Sequence, residues 1–180
     1  MDTLNNYRTL VDNVDALCKR ISSAYASQIR CAPGCDDCCR HLTLFPVEAY
    51  ALSEAVEELE YPLRNELREM AAITPEDAPC PLLRNGLCLL YHARPLICRT
   101  HGLPIMLETP DGRRVDHCPR NFQGVDSLPG TAVIQLERLN EALAAINALF
   151  LHEIPPAQSS GRGSRITIAQ AILLAPPGED

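Results

Sequence analysis

Four cysteines, Cys31, Cys35, Cys38 and Cys39, fall within one short stretch of this 180-residue chain. Cys80, Cys88, Cys98 and Cys118 follow at wider spacing, and Cys18 lies upstream. Thiolates are soft ligands that suit both Zn²⁺ and iron–sulfur clusters. Two thiols a few residues apart can be aimed at one centre at little cost in loop closure. Cys35 and Cys38 have that spacing, and Cys31 and Cys35 nearly so. The side chains of adjacent Cys38 and Cys39 diverge, so the two do not easily share one mononuclear ion. One of them then serves another centre, a second iron or the pocket wall. Thiols at this density predict a bound metal or metal cluster.

A disulfide framework is the competing use of cysteine, and compartment decides between them. The opening residues, Met1 to Asn6, are polar and lack a basic and then apolar signal pattern. No apolar run approaches the ~20 residues of a membrane span. The expectation is therefore a cytoplasmic, reducing setting with no membrane partner. Nine is an odd number, so full pairing would leave one thiol over. A net charge of −7 disfavours nucleic acid as a main partner, while a protein partner stays open. An all-thiolate set does not choose between a [4Fe-4S] cluster and Zn²⁺; the cluster is placed first.

Other chemistry-bearing residues lie close to the thiols. Arg40, Arg94, Arg99 and Arg120 would offset the charge of a polythiolate centre, or serve as surface ion-pair residues. His41, His92, His101 and His117 are candidates for a Cys₃His site or for hydrogen bonds behind the ligands. His101 and His117 are the better placed, flanking a hairpin near Cys98 and Cys118. A Cys98–His101 nucleophilic pair is a further option, without an obvious orienting acid. The spacing of Cys31, Cys35 and Cys38 also resembles the three-thiolate loop of radical S-adenosylmethionine enzymes, which wraps three corners of a [4Fe-4S] cube. There the loop follows a barrel strand; here it follows a helical pattern.

The elements that must position these residues read as mainly α: a helical bundle with cysteine-rich loops and one or two small β-hairpins forming a metal-binding side. One domain over residues 1–180 is expected. A helix over 3–29, capped by Asp2 or Thr3, carries Leu4, Tyr7, Val11, Val14, Cys18, Ile21 and Tyr25 on one stripe. Cys18 lies inside that stripe and reads as a small buried hydrophobe. A second helix starts at Pro46 and runs to about Glu60. A third opens at Pro62 with Leu63, Leu67, Met70 and Ile73 on one face. Asn85-Gly86 marks a hairpin turn. If Cys80 and Cys88 share a site, a three-residue turn pairing Leu82 with Cys88 is expected, because it sets both thiols on one face. A second hairpin runs from Leu103 to Cys118 around Pro110-Asp111-Gly112. Helices over 131–153 and 166–175 complete the chain, with Pro155-Pro156 and a polar loop over 157–164 between them, and Pro176-Pro177-Gly178 leading into an acidic tail. The first of these helices carries Val133, Leu136, Leu139 or Asn140, Leu143, Ile146 and Phe150.

Five ordered motifs then stand out: Cys31-Ala-Pro-Gly-Cys35-Asp-Asp-Cys38-Cys39-Arg40, Cys80-Pro81-Leu82-Leu83, Gly86-Leu87-Cys88-Leu89-Leu90-Tyr91, Arg94-Pro95-Leu96-Ile97-Cys98-Arg99 and Cys118-Pro119-Arg120-Asn121-Phe122. Together they resemble the YkgJ-type cysteine-cluster family of zinc- or iron-chelating domains, over about residues 30–122. The resemblance implies that Cys31, Cys35, Cys38, Cys39, Cys80, Cys88, Cys98 and Cys118 are the metal-ligand set, with Cys18 outside it. The family label carries little mechanism; the leading expectation is one [4Fe-4S]-type cluster or one to two Zn²⁺ ions, used in redox work, sensing or metal handling. A related cluster occurs in flagellin lysine N-methylases, so a cluster-bearing methyltransferase or oxidoreductase component is the enzymatic alternative. This chain lacks a Gly-rich S-adenosylmethionine-binding unit. A zinc-stabilised protein-interaction module is the structural alternative.

Overall fold

The computed structural model describes residues 3–154 and 165–175. In chain order it contains α1 (Asn5–Ala24), β1 (Thr43–Leu44), α2 (Pro46–Glu57), α3 (Tyr61–Ile73), β2 (Leu83–Arg84) and β3 (Leu87–Cys88). Then follow α4 (Leu96–Thr100), β4 (Ile105–Thr109), β5 (Gly112–Asp116), β6 (Ile134–Gln135), α5 (Leu136–Glu153), β7 (Ile166–Thr167) and α6 (Ile168–Leu173). Roughly half of the structure is helical, with small sheets, so the mainly α expectation holds.

The stripe on α1 buries Leu4, Tyr7, Val14 and Ile21, and half-buries Val11, Cys18 and Tyr25. The helix is shorter than 3–29, because the backbone leaves helical geometry at Tyr25 and only a 3₁₀ turn follows over Ala26–Gln28. Nor does Thr3 cap it. The N-cap position is Leu4, which is fully buried, so packing rather than a polar cap fixes this end. Asp2 lies outside the described residues.

Helix α2 starts at Pro46, whose missing N–H costs nothing in a first turn. Its other early donors are satisfied from elsewhere. Glu48 Oε2 accepts the Phe45 N–H at 3.0 Å, and Asn147 Oδ1 on α5 accepts the Val47 N–H at 3.1 Å. Helix α3 buries Leu67 and Ala71, while Met70 and Ile73 are exposed, against the expected Leu63–Leu67–Met70–Ile73 face. The buried pair is one helical turn apart and meets α6, whereas Met70 and Ile73 point off that seam.

Two C-terminal expectations are also corrected. Residues 131–135 are a 3₁₀ turn and β6, which pairs in parallel with β4, so Val133 is buried outside the helix. The helix begins only at Leu136, and its inner face is Leu139, Leu143, Asn147 and Phe150. The last helix begins at Ile168, because Ile166–Thr167 pairs antiparallel with β1. Thr167 then caps α6 in a reciprocal box with Gln170. Pro155-Pro156, the 157–164 loop and the tail from Pro176 lie outside the described residues.

Apolar side chains gather in three connected groups. Leu52, Val56, Leu67, Ile168 and Ile172 join α2, α3 and α6, with Cys80 and Cys88 packed at the edge. Leu4, Tyr7, Tyr50, Leu96, Leu143 and Phe150 join α1, α2, α4 and α5, the Tyr50 and Phe150 rings meeting at 5.2 Å. Ile21, Leu103, Phe122 and Ile134 form the third.

Candidate metal centre

The loop between α1 and β1 is a run of tight turns. The Cys35 N–H donates to the Ala32 carbonyl at 3.0 Å around Gly34, whose φ of +90° suits glycine alone. The Cys39 N–H donates to the Asp36 carbonyl at 2.8 Å. Two later segments clamp this loop from different sides.

The first clamp is the β2–β3 hairpin. The Cys80 N–H donates to the Cys39 carbonyl at 3.3 Å, and Arg40 bridges to Pro79. At the hairpin tip, a Cβ on Gly86 would lie 3.2 Å from the Gly34 Cα, so two glycines bring the turn and the cysteine loop into backbone contact. Register differs from the expected one: Leu83, not Leu82, pairs with Cys88. Asn85 and Gly86 both have positive φ, at 50° and 77°, which is the two-residue type I′ turn. Strand alternation nevertheless does not separate Cys80 from Cys88. The Leu83 N–H donates to the Cys80 carbonyl at 3.0 Å, so Cys80 lies in a turn before the strand begins.

The second clamp is the turn after β5. The expected second hairpin forms, but Thr109 pairs with Gly112, which leaves only Pro110-Asp111 in the loop. Past β5, the Asn121 N–H donates to the Cys118 carbonyl at 2.9 Å. The Asn121 side chain, 1% exposed, is fully used. Its Oδ1 accepts the Arg30 N–H at 2.8 Å, and its Nδ2 donates to the Gly102 carbonyl at 2.7 Å and to Cys31 Sγ at 3.4 Å. Arg120 reaches Cys35 Sγ at 3.8 Å and pairs with Asp37 at 2.5 Å. Gly102, at φ +84°, has no room for a side chain: a Cβ there would meet Asn121 Nδ2 at 3.1 Å, Cys31 Sγ at 3.2 Å and Cys118 Cβ at 3.5 Å. Sequence reasoning missed Asn121 and Gly102. The only signal was their closeness to Cys118 and Cys98.

Cys98 is carried on α4, a single short helix held at its start by Glu48 Oε1, which accepts the Leu96 N–H at 3.1 Å. Burial pushes the Cys98 thiol up to about 12, and the charges of Cys80, Cys88 and Cys39 add to this while Arg94 opposes it. Burial pushes Cys80 up to about 11, with Cys88 and Cys39 adding to it against backbone N–H donors. It also raises Cys88, where Cys39 is the thiol neighbour. Cys38 is exposed as a residue, yet desolvation and then Cys39, Cys31 and Cys35 push it up to about 11. Cys18 belongs to none of these groups. Burial pushes it up to about 11 with Asp15 the next cause, and it packs between the second and third apolar groups.

The cations divide in role. Arg94 lies over the Tyr91 ring, its guanidinium carbon 3.5 Å from the centroid, and its charge acts on Cys98, Cys88 and Cys18. Arg99 is instead committed to Asp15 at 2.6 Å and to the carbonyls of Arg94 and His92. Of the histidines, His41 has both ring nitrogens occupied. Ala169 N–H can only donate, so Nε2 accepts it at 3.1 Å, and Nδ1 donates to the Pro75 carbonyl at 2.9 Å. That is a structural clip between α6 and the end of α3. His101 and His117 line one shallow cleft with Cys118 and Asp116. A Cys98 thiol held protonated by burial is the opposite of an activated nucleophile, and His101 is not among the groups acting on it.

The donor set fits a thiophilic metal. All nine cysteines are free; Cys80 and Cys88 lie on the first clamp and Cys118 on the second. Sulfur-directed donors, Asn121 and Arg120, stand behind Cys31 and Cys35. Among the described residues, no three His, Cys, Asp or Glu side chains already converge on one point. Ligation therefore needs thiol rotation, which for cysteine is a change in one torsion.

Loops of free thiols clamped onto a helical scaffold define a cysteine-cluster chelating protein. Residues 30–119, half of the chain, match the CxxCxxCC family, described as a putative zinc- or iron-chelating domain, and the chain belongs to that family. The metal in question is accordingly zinc or iron. No curated protein and no solved structure matches the chain. Among the described residues, no helix is long and apolar enough to cross a membrane.

Proposed function

We propose that this protein is a cytoplasmic iron–sulfur protein whose ligands come from Cys31, Cys35, Cys38, Cys39, Cys80, Cys88, Cys98 and Cys118, and that it works in redox sensing or metal handling. The observation that carries this reading is the pair of donors aimed at sulfur, Asn121 Nδ2 at Cys31 and Arg120 at Cys35. Hydrogen bonds and cations at cysteine sulfurs are levers that set a cluster's potential. Arg94 supplies the same compensation deeper in the molecule. When bound, such a cluster supplies one-electron chemistry, while the chain's own residues ligate it and neutralise its charge. Cys31 and Cys38 are exposed, which suits a centre that exchanges electrons or metal with its surroundings.

Metal and sulfide quantification on anaerobically purified protein tests this. Brown protein that bleaches with dithionite and contains iron and acid-labile sulfide is the expected result. Colourless protein with stoichiometric zinc would replace iron–sulfur with a structural or transfer role for zinc.

A further inference from the structure

The side chain that Gly102 lacks leaves a gap, and two cysteines far apart in sequence border it. Cys31 Sγ lies 3.2 Å and Cys118 Cβ 3.5 Å from the place where a Cβ would stand. Both cysteines are held there by Asn121. Its Oδ1 accepts the N–H of Arg30, the residue before Cys31, at 2.8 Å, and its own N–H donates to the Cys118 carbonyl at 2.9 Å. Its Nδ2 donates to Cys31 Sγ at 3.4 Å and to the Gly102 carbonyl at 2.7 Å. One buried side chain therefore fixes the backbone beside Cys31, the backbone of Cys118 and the glycine between them.

A disulfide needs its two Cβ atoms about 3.5–4.5 Å apart, with each sulfur about 3 Å from the partner's Cβ. Here the Cys31 sulfur and the Cys118 Cβ touch one common point, so at most two contact distances separate them. The Cys118 sulfur is one bond further on and swings through a single side-chain torsion. Access differs between the two: Cys31 is exposed and Cys118 half-buried.

We infer that Cys31 and Cys118 are a redox-modification site, closing a disulfide in the metal-free chain by exchange with a low-molecular-weight disulfide. Exposed Cys31 attacks as the thiolate, forming a mixed disulfide and releasing one small thiolate. The Cys118 thiolate then attacks the Cys31 sulfur. The protein S–S bond forms as the mixed S–S bond breaks, and the second small thiolate leaves. Overall the two protein thiols give up two electrons and two protons, and the incoming disulfide ends as two thiols. The bridge ties the cysteine loop to the second clamp. Its consequence for metal rests on the metal-binding reading above: the oxidised chain has two ligands fewer, so metal capacity follows the thiol redox state.

The test treats the full chain anaerobically with a chelator in the presence of oxidised glutathione, quenches with iodoacetamide and maps the cysteines by peptide mass spectrometry. The first bridge to appear should join Cys31 to Cys118. In Cys118→Ser, Cys31 should instead keep the glutathione as a mixed disulfide; the wild-type map decides the matter if that variant does not fold. Bridging of Cys31 to Cys35, Cys38 or Cys39 in preference, or glutathione left on Cys31 of the wild type, overturns the pair. A parallel sample saturated with zinc, without chelator, should lose the bridge. If Cys31–Cys118 forms equally fast in that sample, the pair stands and both residues cease to be metal ligands. Zinc retained by a chain that never forms the bridge overturns the pair and leaves the metal reading standing.

Discussion

Asn121 concentrates more of the site in one side chain than any cysteine does. It joins the end of the α1 extension at Arg30, the Gly102 carbonyl and the Cys31 sulfur, from a position that is almost wholly buried. Asn121→Ala leaves the part-buried Arg30 N–H and the buried Gly102 carbonyl without their partner, at about 1–3 kcal/mol in unfolding free energy. Chemical denaturation should read that loss. Metal analysis of the folded fraction should show less metal bound per chain than in the wild type. A variant that is destabilised yet binds metal normally would limit Asn121 to a purely architectural part. His41 makes a similar point from the other direction. Its place beside Cys39 suggested a ligand or a solvated ring, and two backbone partners make it a clip instead.

At the scale of elements, α4 is too short to hold itself and is placed by Glu48, which reaches across from α2 to the Leu96 N–H. Burial raises the Glu48 carboxyl above its ordinary 4.5, with the Phe45 and Leu96 N–H groups and Arg165 acting the other way. A raised folded-state value means that the protonated acid is favoured by folding. The associated stability is full below pH 4.5 and fades as pH climbs through the raised value. Relative to Glu48→Gln, which cannot ionise, the wild type should lose stability over that climb; a pH-independent difference would remove this assignment. The hairpin tip gives another test. Gly86→Ala meets both a positive φ and the Gly34 Cα, whereas Gly34→Ala has open space and meets only the φ. The first should cost more, about 2 kcal/mol against about 1, and should also lower metal retention.

These elements show where reading the chain alone succeeds. The stripe on α1, the start of α2 and the turn at Asn85-Gly86 are local signals, and they hold. The pairings of β6 and β7 depend on distant partners: Leu44 for Ile166, and Ile105 for Ile134. No local periodicity reports such pairings. The thiols were legible by type and spacing. Glu48, Asn121 and Gly102 were not, since each matters through a residue far off in sequence.

For the molecule as a whole, the candidate ligands come from the α1–β1 loop, the segment between α3 and α4, α4 itself and the turn after β5. Metal should therefore act as a staple across the fold, binding the native chain in preference to the unfolded one. Adding a strong thiophilic chelator to anaerobic protein should lower the melting temperature, by about 2–4 °C for each 1 kcal/mol of binding energy withdrawn in a domain of this size. Resupplied metal should restore it. An unchanged melting curve would mean that the apolar groups alone hold the loops.

The hydrogen bond from Cys80 to the Cys39 carbonyl also has a meaning in polymer terms. It brings together the two ends of the segment that carries α2 and α3. It lies inside the longer span that Gly102 and Asn121 close between Cys31 and Cys118, like brackets within brackets. Once the inner bracket is closed, the outer one has about half as much chain to bridge, and each halving of a loop saves about 0.6 kcal/mol of closure entropy. A newly made chain is thus biased to close the Cys39–Cys80 contact first and the Cys31–Cys118 contact second.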